Sequence, residues 1–181
     1  MMGFGFALGD LAAHRRPAGQ VLVNHIAYSE DFQAGWWSDY WAKPAFTSGI
    51  ADPLGGTAAM RFNTSTTTAS PNGVSGGIIA FGAPPLADFD QVTVSIWARA
   101  SVGCSAHLGL SDQSLSLIDL TPTWTRFSHT GTYRTSTGLG GVDNRLFQFF
   151  EDIAGNPSIE VDLFGAQAVI GGGMGTYVAT P

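Results

Sequence analysis

Residues 90–100 read "DQVTVSIWARA". Val92, Val94 and Ile96 alternate with Thr93, Ser95, Trp97 and Arg99. Side chains along a strand leave opposite faces in turn, so a period of two predicts a strand with one apolar face and one largely polar face. Working towards the C-terminus, "CSAHLGLS" and "SLSLIDL" read as further strands joined by a short "SDQ" turn. "TPTWTRFSHTGTY" sets Trp124, Arg126 and Ser128 against Thr125, Phe127 and His129. "NRLFQFFE" is apolar on both faces and predicts a central strand, and "DIAGNPS" a turn. "IEVDLFGAQAVI" and "GTYVAT" are expected to close the chain as two strands, a terminal strand lying within a sheet. Towards the N-terminus, "GVSGGIIAF" is a strand whose glycines suggest a bulge or a close approach. "TSTTTASPNG" is a loop, "TAAMRFN" a strand and "ADPLGG" a turn. "VLVNHIAY" (21–28) predicts the first strand, with Ser29 capping a helical turn through Phe32. About ten short strands at this spacing predict a two-sheet sandwich or barrel rather than βαβ units.

Composition agrees. The 181 residues suffice for one domain with a sizeable core. Charged residues make up 12 %, about half the usual share, and Glu and Lys are almost absent. The 24 glycines and frequent Ser and Thr suit a turn-rich all-β chain. Eight scattered basic residues in a chain of net charge −6 form no basic stripe, so nucleic acid is not an expected partner. A lone cysteine, Cys104, excludes an intrachain disulfide and a cysteine-based zinc site, and its apolar context predicts a buried thiol. Residues 1–20 differ from the rest. The apolar piece "GFGFALG" precedes Arg15–Arg16, the reverse of a signal peptide, and no stretch is long enough to span a bilayer. Phe4, Phe6, Leu8 and Leu11 have no domain of their own to bury them, so 1–20 is read as an extended arm that docks on a partner, and 21–181 as the sandwich.

Catalytic chemistry is not expected. His14, His25, His107 and His129 are far apart, and no Gly-x-Ser-x-Gly elbow, His-Glu-x-x-His or P-loop occurs. No cofactor is expected. Structural calcium is the one ion considered, with Glu30, Asp31, Asp52 and Asp162 as oxygen donors; without an Asp-x-Asp-x-Asp-Gly loop, ordinary turn acids are the preferred reading. The best recognition candidates are aromatic. Trp36, Trp37, Tyr40 and Trp41 fall within six positions. On a helical turn Trp37 and Trp41 share one face and Trp36 and Tyr40 another, so one pair is expected in the core and the other partly exposed. Sugars stack on exposed rings, which makes Trp36, Tyr40 and Trp97 the candidate glycan contacts, with Asp39, Asn63 and Gln148 as polar neighbours. Core or interface packing of the whole aromatic set is the competing reading. Trp97, on the polar face of its strand, is expected to meet solvent, a sheet edge or a partner chain.

Five stretches resemble one family. "NHIAYSEDFQAGWW", "ADPLGGTAAMRF", "VTVSIWARA", "LTPTWTRFSHTGTY" and "LFGAQAVIGGGMGTYVATP" are similar, in order, to the motifs of jelly-roll domains in phage and prophage virion proteins. The resemblance runs from Asn24 to Pro181, with Phe164 where the family usually has Trp and Ala168–Val169 in place of Leu-Glu. It implies an antiparallel jelly-roll β-sandwich akin to carbohydrate-binding modules, found in tail fibres, head fibres and other appendages. It also implies a homo-oligomer located on the virion, joined to other virion proteins through the arm and touching host surface polysaccharide, with no enzymatic activity and no membrane insertion. A carbohydrate-binding module of a secreted or cell-surface system is the alternative.

Overall fold

The computed structural model describes residues 22–34, 37–40, 45–63, 77–81, 86–87, 89–110, 115–134, 145–151 and 159–181. The arm, 1–20, lies outside them, and with it Phe4, Phe6, Leu8 and Leu11. The described residues form ten strands. They are β1 (Trp37–Tyr40), β2 (Thr47–Ile50), β3 (Ala59–Asn63), β4 (Gly77–Phe81), β5 (Gln91–Ala100), β6 (Cys104–Gly109), β7 (Leu115–Leu120), β8 (Thr125–Thr132), β9 (Arg145–Glu151) and β10 (Glu160–Ile170). Two five-stranded sheets result, β1-β4-β9-β6-β7 (sheet A) and β2-β3-β10-β5-β8 (sheet B). Every pairing is antiparallel. The protein is an all-β jelly-roll sandwich, one of the two architectures the strand spacing implied and the one the family resemblance implied.

The alternation of residues 90–100 holds throughout β5. Val92, Val94, Ile96 and Ala98 are fully buried between the sheets with Met60 and Phe62 of β3 and Val161, Leu163, Ala166 and Ala168 of β10. Sheet A contributes Ala106, Leu108, Ile118, Leu120, Phe147 and Phe149. The expected central strand is central: β9 lies third in sheet A. β4 carries a register shift at Ala80/Phe81, away from the glycines at which a bulge or close approach was expected. Cys104 is half-buried and packs against the core rather than within it, because it opens β6 at the sandwich margin.

Both chain ends depart from expectation. Leu22–Ile26 form no strand. This segment runs over β10, held by His25 N–H to Ala168 O (2.9 Å) and by the Asn24 side chain. Asn24 is buried and spends its whole capacity: Nδ2 donates to Ala166 O (3.1 Å) and Val178 O (2.9 Å), and Oδ1 accepts from Ile26 N (3.1 Å) and Ala168 N (3.0 Å). A side chain replaces the ladder here. Instead of a helical turn, Asp31 N–H bonds to Tyr28 O, Ala34 N–H to Asp31 O and Trp37 N–H to Ala34 O, each i to i+3. Trp37 then enters β1, so helical spacing does not govern it; it is buried edge-on to Phe32 (5.0 Å) and Phe147 (5.6 Å). "GTYVAT" is likewise no strand. Gly171, Gly173 and Gly175 have φ of 103°, 110° and 57°, left-handed values that break the ladder after β10. It is β10, not the terminal segment, that lies within a sheet.

The outermost strands of the two sheets are bridged by a hydrogen bond between Ser116 Oγ of β7 and His129 Nδ1 of β8 (2.8 Å). Burial lowers the pKa of His129, so the fold favours the neutral ring. The unfolded chain takes up the proton at its ordinary value near 6.5, so this contribution is whole above that pH and is lost as pH falls towards the lower folded pKa. The thermal midpoint of wild type is expected to fall more between pH 7.5 and 5 than that of His129→Asn. Parallel curves for the two proteins would refute this.

Candidate functional site

The two outer faces of the sandwich differ. On sheet B, pleating puts Thr93, Ser95, Trp97 and Arg99 of β5 outward beside Asp162, Phe164 and Gln167 of β10 and Arg126 of β8. Gly171–Pro181 crosses this face as a strap. Thr93 Oγ1 donates to Gly171 O (2.8 Å) and accepts from Gly173 N (3.0 Å). Arg126 Nη1 donates to Gly175 O (2.8 Å), and Gln167 Nε2 to Thr176 O (3.1 Å). The Tyr177 ring stands edge-on to Trp97 (5.3 Å) and tilted on Phe164 (5.6 Å). Its hydroxyl donates to Glu30 Oε1 (2.9 Å), and burial pushes its pKa up. Thr180 closes the strap through reciprocal bonds with Ser29, and Pro181 O accepts from Tyr28 N.

Trp97 therefore belongs to a packed cluster and is not a free platform. The Arg126 guanidinium lies 4.4 Å over its ring, and Tyr177 and Phe164 flank it. The chain's own C-terminus packs against this ring, which stays partly exposed. Gly165 makes that approach feasible. Its φ is +63°, at a register shift in β10, and a Cβ there would stand 3.0 Å from Tyr177 Cζ and 3.2 Å from Trp97 Cε3. Arg126 is held by neutral partners, Gly175 O, Ser95 Oγ and Gln167 Oε1, and burial lowers its pKa.

Sheet A carries the other sequence candidates. Tyr40 pairs with Gly77, Gly77 with Phe150, Phe150 with His107 and His107 with Leu117, one cross-strand row over all five strands. At about 4.8 Å per strand the row spans roughly 19 Å. Leu117 ends it 59 % exposed. The adjoining row is Ser38, Ile79, Gln148, Gly109 and Leu115. Phe147 and Phe149 point into the core, so Gln148 projects to the outer side. Gln148 is fully buried, its Oε1 accepts a 3.4 Å bond from Arg145, and its Nε2 has no partner among the described residues. Opposite it stands Gly109, which has no side chain. Such an unsatisfied buried donor is uncommon in native folds. Trp36 and Trp41, with the side chains of Asp39 and Tyr40, lie outside the described residues. Asn63 is at the end of β3 in sheet B, away from these rows.

The four candidate calcium carboxylates do not converge. Asp52 caps its own loop, accepting from Leu54, Gly56 and Ala58 N–H. Asp162 is engaged by two arginines, and Glu30 by Tyr177. Glu30 and Asp31 line a cavity of about 300 Å³ with Gln33, Ser48, Thr57 and Met60. Among the described residues no three His, Cys, Asp or Glu side chains are grouped to hold a metal. Sequence reasoning missed Asn24, Arg126 and Tyr177 as the residues that hold the strap; only the non-strand glycine pattern of 171–175 hinted at it.

No family model and no curated protein sequence matches the chain. Solved structures do. The CBM22-1 xylan-binding domain from Paenibacillus barcinonensis Xyn10C is similar at a TM-score of 0.55 and 12 % identity, over 84 % of this chain and 97 % of that one. A CBM4 structure is similar at 0.50 and 14 %, over 75 % of this chain and 94 % of that one. A cyclase from Fischerella sp. TAU is similar at 0.50 and 10 %, over 83 % and 98 %. At these identities the likeness concerns the fold: a jelly roll shared with carbohydrate-binding modules and also with an enzyme.

Proposed function

We propose that this protein is a non-catalytic glycan-binding jelly roll carried on a bacteriophage or phage-like particle, with the ligand lying along the outer face of sheet A. The observation that carries the site is Gln148, a buried amide donor with no partner, between the row that begins at Tyr40 and the bare Gly109. Gln148 is fully buried in the free chain, so a hydroxyl-bearing ligand supplies the missing acceptor by displacing what covers it. The second observation is that the strap covers the Trp97 part of sheet B, so the rings there are engaged within the chain itself. The likeness in fold to carbohydrate-binding modules supports the ligand class. The virion setting is supported by the five motifs from Asn24 to Pro181 and the apolar arm at 1–20. The likeness to a xylan-binding domain favours a second reading, a binding module of a secreted or cell-surface system. Immunogold electron microscopy of native particles separates the two: label on the particle supports the first and its absence the second.

Glycan binding at a shallow face is expected to be weak per site and strong by avidity. A glycan array probed with monomeric and multivalent protein should show binding by the multivalent form. Gln148→Met removes the orphan donor at nearly constant volume, so it should leave the thermal midpoint unchanged or raised while weakening binding about tenfold. Tyr40→Ala should weaken binding as well. If the multivalent form binds no glycan, or Gln148→Met destabilises the fold and leaves binding intact, the reading fails.

A further inference from the structure

One row along β5 and β10 from Trp97 and Phe164, sheet B carries a polar assembly beyond those strap contacts. Arg61, Asp162 and Arg99 occupy one cross-strand row. Asp162 is buried and accepts from Arg61 Nε (2.6 Å) and Nη2 (3.1 Å) and from Arg99 Nε (2.8 Å). Arg61 Nη1 also pairs with Glu160 (2.7 Å). Arg99 is different. Its Nε is committed and its guanidinium lies 4.7 Å over the Trp124 ring, but neither Nη has a hydrogen-bond partner among the described residues. The guanidinium is thus aimed and its fork is free. Beside it is a cavity of about 130 Å³ lined by Arg61, Arg99, Ala100, Ser101, Pro122 and Asp162.

The electrostatics favour an anion. Arg61, Arg99 and Arg126 stand on neighbouring rows against two carboxylates, Asp162 and Glu160, a local excess of positive charge in a chain of net charge −6. A planar fork with both Nη groups free matches a carboxylate bidentately, and an orientation fixed in advance lowers the ordering cost of binding. The cavity has room for a carboxylate and water but not for a sugar ring, which would rest outside on the rim formed by the exposed Thr121, Pro122 and Thr123. We infer that Arg99 receives the carboxylate of a uronic acid residue, so that acidic polysaccharide is the ligand class on this face. This rests on the glycan-binding reading above but uses the opposite sheet.

The test is affinity electrophoresis of the full chain in gels containing polygalacturonate, neutral xylan or polyglutamate. Polygalacturonate should retard wild type in a salt-sensitive way, and Arg99→Gln should raise the apparent dissociation constant about tenfold. Ser101→Asp is the second variant. It leaves the Arg99–Asp162 pair in place, retains an acceptor for Glu160 N–H, and offers the fork an internal carboxylate, so it should weaken binding equally even where Arg99→Gln fails to fold. Xylan mobility should not respond to either substitution. No retardation by polygalacturonate, or retardation that a folded variant leaves unchanged, overturns the inference. Equal retardation by polyglutamate with the same dependence on Arg99 overturns the uronate assignment. Failure to bind neutral glycans, with polygalacturonate binding intact and Arg99-dependent, removes the sheet A site and leaves this one standing.

Discussion

Asn24→Asp is expected to cost roughly 3–5 kcal/mol of stability at pH 7, which at a few degrees per kcal/mol lowers the thermal midpoint by about 10 °C or more. The change is nearly isosteric, so packing is not the cause. Asn24 Nδ2 donates to Ala166 O and Val178 O; an aspartate oxygen in its place faces two carbonyl oxygens and leaves both without a donor. The site is buried, so the new carboxylate also loses hydration. The burden should depend on pH with a definite sign. Burial raises the folded pKa of the introduced acid, so the deficit is smallest below the ordinary carboxylate pKa of about 3.9 and grows as pH rises through the folded value. Urea denaturation at pH 4 and pH 7 measures both parts. A loss under about 1 kcal/mol at pH 7 would mean that Asn24 does not stitch the N-terminal segment, β10 and the strap together.

Tyr177→Ala should cost about 2–4 kcal/mol and release the strap. The ring fills the space between Trp97 and Phe164, and its hydroxyl connects Ser29 and Glu30. Loss of the ring leaves Trp97 beneath solvent and weakens the remaining hold of Arg126 and Gln167 on Gly175 and Thr176. Two readouts separate strap release from general loosening: a red shift of Trp97 fluorescence below the unfolding transition, and proteolytic cleavage confined to residues 171–181. Tyr177→Phe keeps the ring and should cost only about 1 kcal/mol. If Tyr177→Ala melts close to wild type with unchanged fluorescence, the strap is not a stabilising element.

Part of this architecture was written locally. In β5 the period of two separates Val92, Val94 and Ile96 from Thr93, Ser95 and Trp97, and burial of the first set follows from the pattern alone. In β9, apolar residues at both parities marked a central strand, and it lies third of five. Each such strand is recognisable because its own side chains report the environment of each face. The same logic misled at 21–28 and 175–180. Both stretches are extended and apolar enough to resemble strands, but a segment tied down by Asn24, Ser29 and Thr180 side chains looks locally like one tied down by a ladder.

The candidate site divides in the same way. That Trp97 lies on the polar side of β5 was legible; what covers it was not, because Tyr177 arrives from 80 residues further along the chain. The polar chemistry is equally remote in sequence: Arg61 and Asp162 are 101 positions apart, Arg99 and Asp162 are 63 apart, and Ser116 meets His129 only because two edge strands of opposite sheets close on each other. Gln148 was a polar residue in an apolar strand, and only the tertiary structure showed that its Nε2 is buried without a partner among the described residues. Periodicity by itself determined that this chain is an all-β sandwich or barrel and which face of its best strands is apolar, because hydrophobic burial acts residue by residue along a strand. Which part of sheet B the strap covers, and where free hydrogen-bonding groups remain among the described residues, was decided by the tertiary structure alone, because hydrogen bonds and ring contacts between segments depend on positions that no local pattern encodes.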